Sequence, residues 1–134
     1  MRTFEYKSRV YFSDTDAGGI AYHARYLDWA EHGRTEMLRA IYPGKTQMQL
    51  ASQEGILMVV RSIAIEYKSP AFLEDEITVL TDMEDVQHFS FTMRQRIMRS
   101  DTLLSDLSVR IAVIDSVTKR PKKIPEDILK AFEA

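Results

Sequence analysis

Asp14, Asp16, Gly18, Gly19 and His23 stand close together between an apolar run, Val10-Tyr11-Phe12, and the start of a helical pattern. Gly18 and Gly19 permit backbone angles closed to other residues, so the chain can turn sharply after the second carboxylate. Such a turn brings Asp16 back towards a helix N-terminus, where N–H groups lack partners within the helix. A carboxylate beside free N–H donors suits attack on a carbonyl group, because the donors can hold the oxyanion that develops. Asp16 is therefore expected to act as nucleophile or as general base on water. Asp14, nearer the strand end, has the position of a turn or cap residue. The Asp-x-Asp-x-Gly spacing also suggests a calcium loop, but the twelfth position from Asp14 is Arg25, where a bidentate Glu is required. No metal site is expected.

The elements that must position these groups can be read from periodicity. Residues 3–12 alternate with a period of two, Phe4, Tyr6, Ser8, Val10 and Phe12 on one side, which predicts a strand. A helix then begins near His23. Tyr26, Leu27, Ala30, Gly33, Met37, Leu38 and Ile41 recur at helical spacing, Trp29 lies at the flank of this stripe, and Pro43-Gly44 stops the helix. Gly33 in mid-helix costs up to ~1 kcal/mol against Ala, which implies close packing at that point. Thr46 and Gln49 have the spacing of a capping box, and Gly55 that of a stop, giving a short helix over 46–54. Strands are predicted at Ile56–Tyr67, Glu76–Glu84, Val86–Arg99 and Leu103–Val117, with successive strands paired antiparallel. A last short helix starts at Pro125 and docks through Ile128, Leu129 and Phe132. One long helix and five long strands predict an α+β fold with the helix against one sheet face.

Composition narrows the class. The 134 residues, read as one domain spanning 1–134, have a net charge of −2 and no cysteine. Disulfides, thiolate nucleophiles and Cys-ligated zinc are excluded, and the charge argues against a general nucleic-acid or membrane binder. No apolar run approaches the ~20 residues that span a bilayer, and the first residues lack the apolar core of a signal peptide. The expected location is cytoplasmic.

Asp14-Thr15-Asp16-Ala17-Gly18-Gly19, followed by Tyr22-His23-Ala24-Arg25-Tyr26-Leu27, resembles the 4-hydroxybenzoyl-CoA thioesterase family of hotdog proteins, in particular the Tol-Pal-associated bacterial acyl-CoA thioesterases. The similarity continues through Glu31, Arg34-Thr35-Glu36, Tyr67, Pro70-Ala71 and Arg120-Pro121 to Ile124-Pro125. It implies a hotdog fold, a long central helix wrapped by an antiparallel five-stranded sheet. It also implies a homo-oligomer, dimer or dimer of dimers, with active sites between subunits. The implied activity is hydrolysis of an acyl-CoA thioester without a cofactor. Asp16 matches the family's catalytic aspartate. His23 contributes either its side chain or its backbone N–H, which would polarise the thioester carbonyl. Tyr22 is expected to line the acyl pocket. The chain departs from its relatives at Phe12 and Ser13, where a tyrosine and a glutamate are frequent, so a role for that phenol is missing here.

Lys119, Arg120, Lys122 and Lys123 form a local excess of positive charge that suits the phosphates of coenzyme A; Arg61 is a further candidate. Two other functions stay open at this level. A hydratase or dehydratase would pair His23 with Glu31 or Glu36. A non-catalytic acyl-thioester binder or accessory protein would account for Phe12. His32 and His88 are read as structural. The residues leave open whether the acyl carrier is coenzyme A or acyl carrier protein, and how long the acyl chain is.

Overall fold

The computed structural model describes residues 2–133; Met1 and Ala134, the ends of the expected domain, lie outside the described residues. In chain order the elements are β1 (Phe4–Arg9), a 3-10 turn (Phe12–Asp14), α1 (Arg25–Ile41), α2 (Gln47–Glu54), β2 (Ile56–Tyr67), β3 (Glu76–Glu84), β4 (Ser90–Arg99), β5 (Thr102–Asp115) and α3 (Glu126–Glu133). The strands form one antiparallel sheet in the order β1-β3-β4-β5-β2. This is the α+β hotdog arrangement implied above, with α1 laid mainly across β1, β3 and β4.

Successive pairing holds only for β3-β4-β5. β2 skips β3 and pairs with β5, Ile56 opposite Asp115 and Tyr67 opposite Ser105. β1 and β2 thus form opposite edges. Two strands are markedly shorter than predicted, and β5 stops at Asp115, two residues before the expected Val117, where Asp115 turns to cap the backbone of Val117 and Thr118. β1 stops at Arg9 because Val10 bonds to the loop before β3 instead, its N–H donating to Asp75 and its carbonyl accepting from Glu74. Phe12 leaves the strand phase in the 3-10 turn and is 80% exposed. β4 begins at Ser90, since residues 86–89 are taken up by the turn around Asp85, which has positive φ. The short helix follows its capping box. Gln49 N–H donates to Thr46 Oγ1, Thr46 N–H donates to the Gln49 side chain, and Gly55 closes the helix in the left-handed region.

Residues directly opposite in an antiparallel pair share a face, which assigns the two sides of the sheet. The side towards α1 carries Ile77, Val79, Phe91, Met93, Ile97, Leu107, Val109 and Val113, all buried. Trp29, expected at the helix flank, packs into this core edge-on to Tyr26. A β-bulge at Arg61 keeps β2 in phase. Val60 opposes Ile111 and Ile63 opposes Val109, so both face inward although three residues apart. The far side is laced with charge pairs, Arg94 to Asp106 in bidentate geometry and Arg96 to Asp82. Among the described residues no helix is long and apolar enough to cross a membrane.

Polar groups also sit in the core. Gln95 is fully buried in the apolar phase of β4, where its amide donates to the Ala30 carbonyl and to Thr81 Oγ1. Its carbonyl accepts from Arg34, and burial lowers that guanidinium's pKa. Gly33 faces this group. A Cβ there would stand 2.8 Å from Val79 Cγ1 and 3.3 Å from Gln95 Nε2, which accounts for glycine in mid-helix.

Two stability predictions follow from this packing. Gly33→Ala is expected to lower the unfolding free energy by about 1 kcal/mol, overpacking of roughly 1–3 kcal/mol outweighing a propensity gain of up to ~1, as read by urea titration. The second concerns Asp106, whose carboxyl pKa is lowered chiefly by its hydrogen bonds to Arg94. A depressed folded pKa adds stability above the unfolded pKa, and that stability is lost as pH falls through the folded value. Asp106→Asn should therefore cost at most ~1 kcal/mol near neutrality, given partial exposure, and the deficit should vanish in strong acid. Thermal unfolding of both proteins from neutral to acid pH measures this.

Candidate active site

The chain between β1 and α1 is clamped to the loop before β3. Ala21 N–H donates to the Ala71 carbonyl, Ala71 N–H donates to the Tyr26 hydroxyl, and Ile20 bridges Phe72. Within the clamp, Asp16 N–H donates to Ile20 and Tyr22 N–H to the Asp14 carbonyl, so residues 14–16 lie beside residues 20–22. Gly19 turns the chain at φ +78°, a left-handed angle that favours glycine.

The two aspartates occupy different environments. Asp14 faces inward, its carboxylate accepting the Tyr11 N–H at 2.9 Å and standing 3.9 Å from the Arg25 guanidinium. Asp16 is exposed; its Oδ1 accepts the Gly18 N–H at 2.8 Å, and among the described residues no donor reaches Oδ2. One oxygen orients the carboxylate while the other stays open to a reactant.

Next along the chain, α1 begins one turn after Tyr22. The Tyr22 carbonyl accepts the Arg25 N–H, and the His23 carbonyl accepts the Tyr67 hydroxyl at 2.8 Å. Among the described residues no backbone acceptor meets the N–H of His23 or of Ala24. The His23 ring lies 4.3 Å from Tyr22 and edge-on to Tyr67, which in turn stands edge-on to Tyr26. Desolvation raises the pKa of Tyr26, which keeps its hydroxyl neutral. A groove of about 400 Å³ opens here, lined by Ile20, Ala21, His23, Tyr26, Tyr67 and Pro70; Asp16 stands outside its lining.

The remaining candidates lie elsewhere. Arg61 lines a second groove of about 360 Å³ with His88, Ser90, Ile114 and Pro121, so it shares a surface with the basic segment. In that segment Lys122 is drawn to the Glu54 carbonyl and to Asp115, and Lys119 folds back on the Ser116 carbonyl. Arg120 and Lys123 are exposed. This end of β2 is separated from Tyr67 by nearly the whole strand, roughly 35 Å at ~3.3 Å per residue, so one chain does not bring the basic segment to Asp16. Glu31 accepts from Thr35 and Glu36 pairs with Arg39. They lie about 12 and 20 Å along α1 from His23 at 1.5 Å per residue. His32 is exposed against Tyr6. Among the described residues no group of three or more His, Cys, Asp or Glu side chains is placed to hold a metal ion. Sequence reasoning overlooked the bond from Tyr67 to His23. Tyr67 stands out in the sequence only through its place in the family pattern, at the end of a strand shortly before Pro70.

Comparison with known proteins agrees with this architecture. A Haemophilus influenzae protein named acyl-CoA thioesterase YbgC is 38% identical over 129 residues, 96% of this chain and 93% of its own. The acyl-CoA thioester hydrolase YbgC of Escherichia coli O157:H7 is 35% identical over 131 residues, 97% of this chain and 96% of its own. The crystal structure of a probable thioesterase from Bartonella henselae superposes with a TM-score of 0.82 at 35% identity, over 92% of this chain and all of that one. The model of the thioesterase-like superfamily matches residues 10–132, from the last residue before the Asp16 loop through nearly all of α3, and the chain belongs to that superfamily.

Proposed function

We propose that the protein hydrolyses acyl-CoA thioesters, with Asp16 as the attacking group or as the base for the attacking water. The observation that carries this reading is the closed loop: the bonds from Asp16 to Ile20 and from Tyr22 to Asp14 hold an exposed carboxylate in a fixed hairpin on the segment that leads into α1. The names of the relatives support the substrate class. The thioester oxygen would lie against the N–H of His23, where the helix N-terminus favours negative charge. Attack on the carbonyl carbon forms a C–O bond, and collapse of the tetrahedral species breaks C–S and releases the coenzyme as thiolate. If Asp16 attacks directly, water then opens the anhydride; if it acts as base, it takes the proton of water. The leaving thiolate is stable enough to depart without a general acid, so the His23 side chain is free to orient the acyl group together with Tyr22.

Assembly would complete the site. Val60, Ile63 and Tyr67 are 45%, 40% and 47% exposed on the helix side of the edge strand β2, an apolar margin that α1 leaves uncovered. A second copy, its β2 antiparallel to the first, would cover this margin and satisfy the strand edge. It would also set the Ile56 end of one copy by the Tyr67 end of the other. The groove with Arg61 and the segment bearing Lys119, Arg120, Lys122 and Lys123 would then approach the partner's Asp16 loop and take the phosphates of coenzyme A. Either a dimer or a dimer of dimers has this geometry. A hydratase pairing His23 with Glu31 or Glu36 is disfavoured, because both carboxylates lie turns away and have their own partners. A non-catalytic acyl-thioester binder remains the second reading, favoured by Phe12, exposed where relatives often carry tyrosine.

Asp16→Asn keeps the shape of the loop but removes the charge, and kcat should fall at least ~10²-fold, the lower end for a general base. Asp14→Asn should lose stability, about 1 kcal/mol as for a cap residue, and much less turnover. Single-turnover hydrolysis of a favoured acyl-CoA by both variants separates the two roles; binding without turnover by the parent would favour the non-catalytic reading. Reversing the charges of Lys119 and Arg120 together should raise KM with little change in kcat, an effect weakened by salt. Light scattering at micromolar concentration should report a dimer or tetramer, and an active monomer would refute the composite site.

A further inference from the structure

We propose that Tyr67 is a positioning residue for thioester hydrolysis, holding the His23–Ala24 peptide that leads into α1 and with it the turn from which the His23 amide meets the carbonyl of the substrate. This rests on the reading of that amide as the polarising donor. Tyr67 is the last residue of β2, forty-four positions from His23 in the chain, and its hydroxyl reaches the His23 carbonyl at 2.8 Å. The bond is unusual in its direction. At the start of a helix the backbone donors need partners and the carbonyls point into the helix, so a side chain that donates to a carbonyl here satisfies no orphan donor. Capping does not account for it.

Its geometric effect is specific. A peptide group is planar and trans, so its C=O and N–H point in opposite directions. The Arg25 N–H holds the carbonyl of the Tyr22–His23 peptide, and Tyr67 holds that of the His23–Ala24 peptide. Both N–H groups are thereby turned away from those bonds, and neither meets a backbone acceptor among the described residues. Residue 23 precedes the regular helix, so helical hydrogen bonding alone does not fix its orientation. Tyr67 is itself held by its ring, edge-on to Tyr26, whose hydroxyl is tied to Ala71. The chain of contacts runs from the clamp loop through Tyr26 and Tyr67 to the His23–Ala24 peptide, next to the amide proposed as donor. Nothing in it gives or takes a proton during reaction.

The test is steady-state hydrolysis of a favoured acyl-CoA by the full-length parent, Tyr67→Phe and Tyr67→Leu, across mildly acidic to mildly alkaline pH. Tyr67→Phe keeps the ring and deletes only the hydroxyl. It is expected to lower kcat roughly tenfold with KM unchanged, less than the 10²–10³-fold that removal of an oxyanion donor itself costs. The factor should be the same at every pH, and Tyr67→Leu should be no better. A parent-like Tyr67→Phe overturns the proposal whatever Tyr67→Leu does, since the ring alone would then suffice. So does a rise in KM without loss of kcat, which would make Tyr67 a binding residue, or a loss confined to one end of the pH range, which would make it an acid or base. A Tyr67→Phe protein that does not fold assigns the hydroxyl to stability and overturns it too. A parent that hydrolyses no acyl-CoA removes the underlying reading along with this one.

Discussion

The candidate site hangs on the two backbone bonds of Ala71. Its N–H is taken by the Tyr26 hydroxyl and its carbonyl takes the Ala21 N–H, and the residue has no exposed surface at all. Buried backbone groups must be paired, so this residue imposes a distance between the loop ahead of β3 and the loop ahead of α1. From there the order propagates. Ala21 closes the Asp16 hairpin against Thr15, Tyr22 returns to Asp14, and Tyr26 supports Tyr67. A loop rich in glycine would be a poor platform for chemistry if left free; here its ends are tied to a wall that it does not itself provide.

The core has its own non-local constraint. Gln95 occupies a position that alternation reserves for an apolar side chain, and it uses every polar atom of its amide on Ala30, Thr81 and Arg34. A satisfied polar group costs little, whereas a half-satisfied one is expensive. The arrangement therefore tolerates one helix register against the sheet, that in which Gly33 faces Val79 and Gln95. The register of α1 in turn sets where its first residue, and so the His23 amide, lies over the groove.

Features that depend on neighbouring residues were legible in the sequence. The Thr46–Gln49 box, the stop at Gly55, the bounds of β2 and β3 and the close packing at Gly33 all follow from local chemistry or from period. What was not legible depends on distant partners. The early end of β1 reflects bonds from Val10 to Glu74 and Asp75, and the pairing of β2 with β5 over β3 has no local signature. The exposure of Phe12 has the same origin, since the strand it would have extended ends three residues earlier. In the candidate site, the different surroundings of Asp14 and Asp16 follow from their places in the loop, and His23 entered through the resemblance. Tyr67 was visible only as part of a family pattern, because a bond across forty-four residues leaves no spacing to read.

The strand order has a consequence for how the molecule acquires its shape. Phe4 pairs with Thr81 and Ile56 with Asp115, so both edges of the sheet close long chain loops, whereas β3, β4 and β5 form a meander of short connections. Loop-closure entropy must be met before distant pairings return anything, which makes the meander the natural early product of folding and the two edges late additions. The segment from Val10 to Tyr67 belongs entirely to the late part. Partial opening at the edges would therefore dissolve the hairpin of Asp16 while the meander persists, and amide protection should distinguish a ribbon that survives from an Asp16 strap that does not.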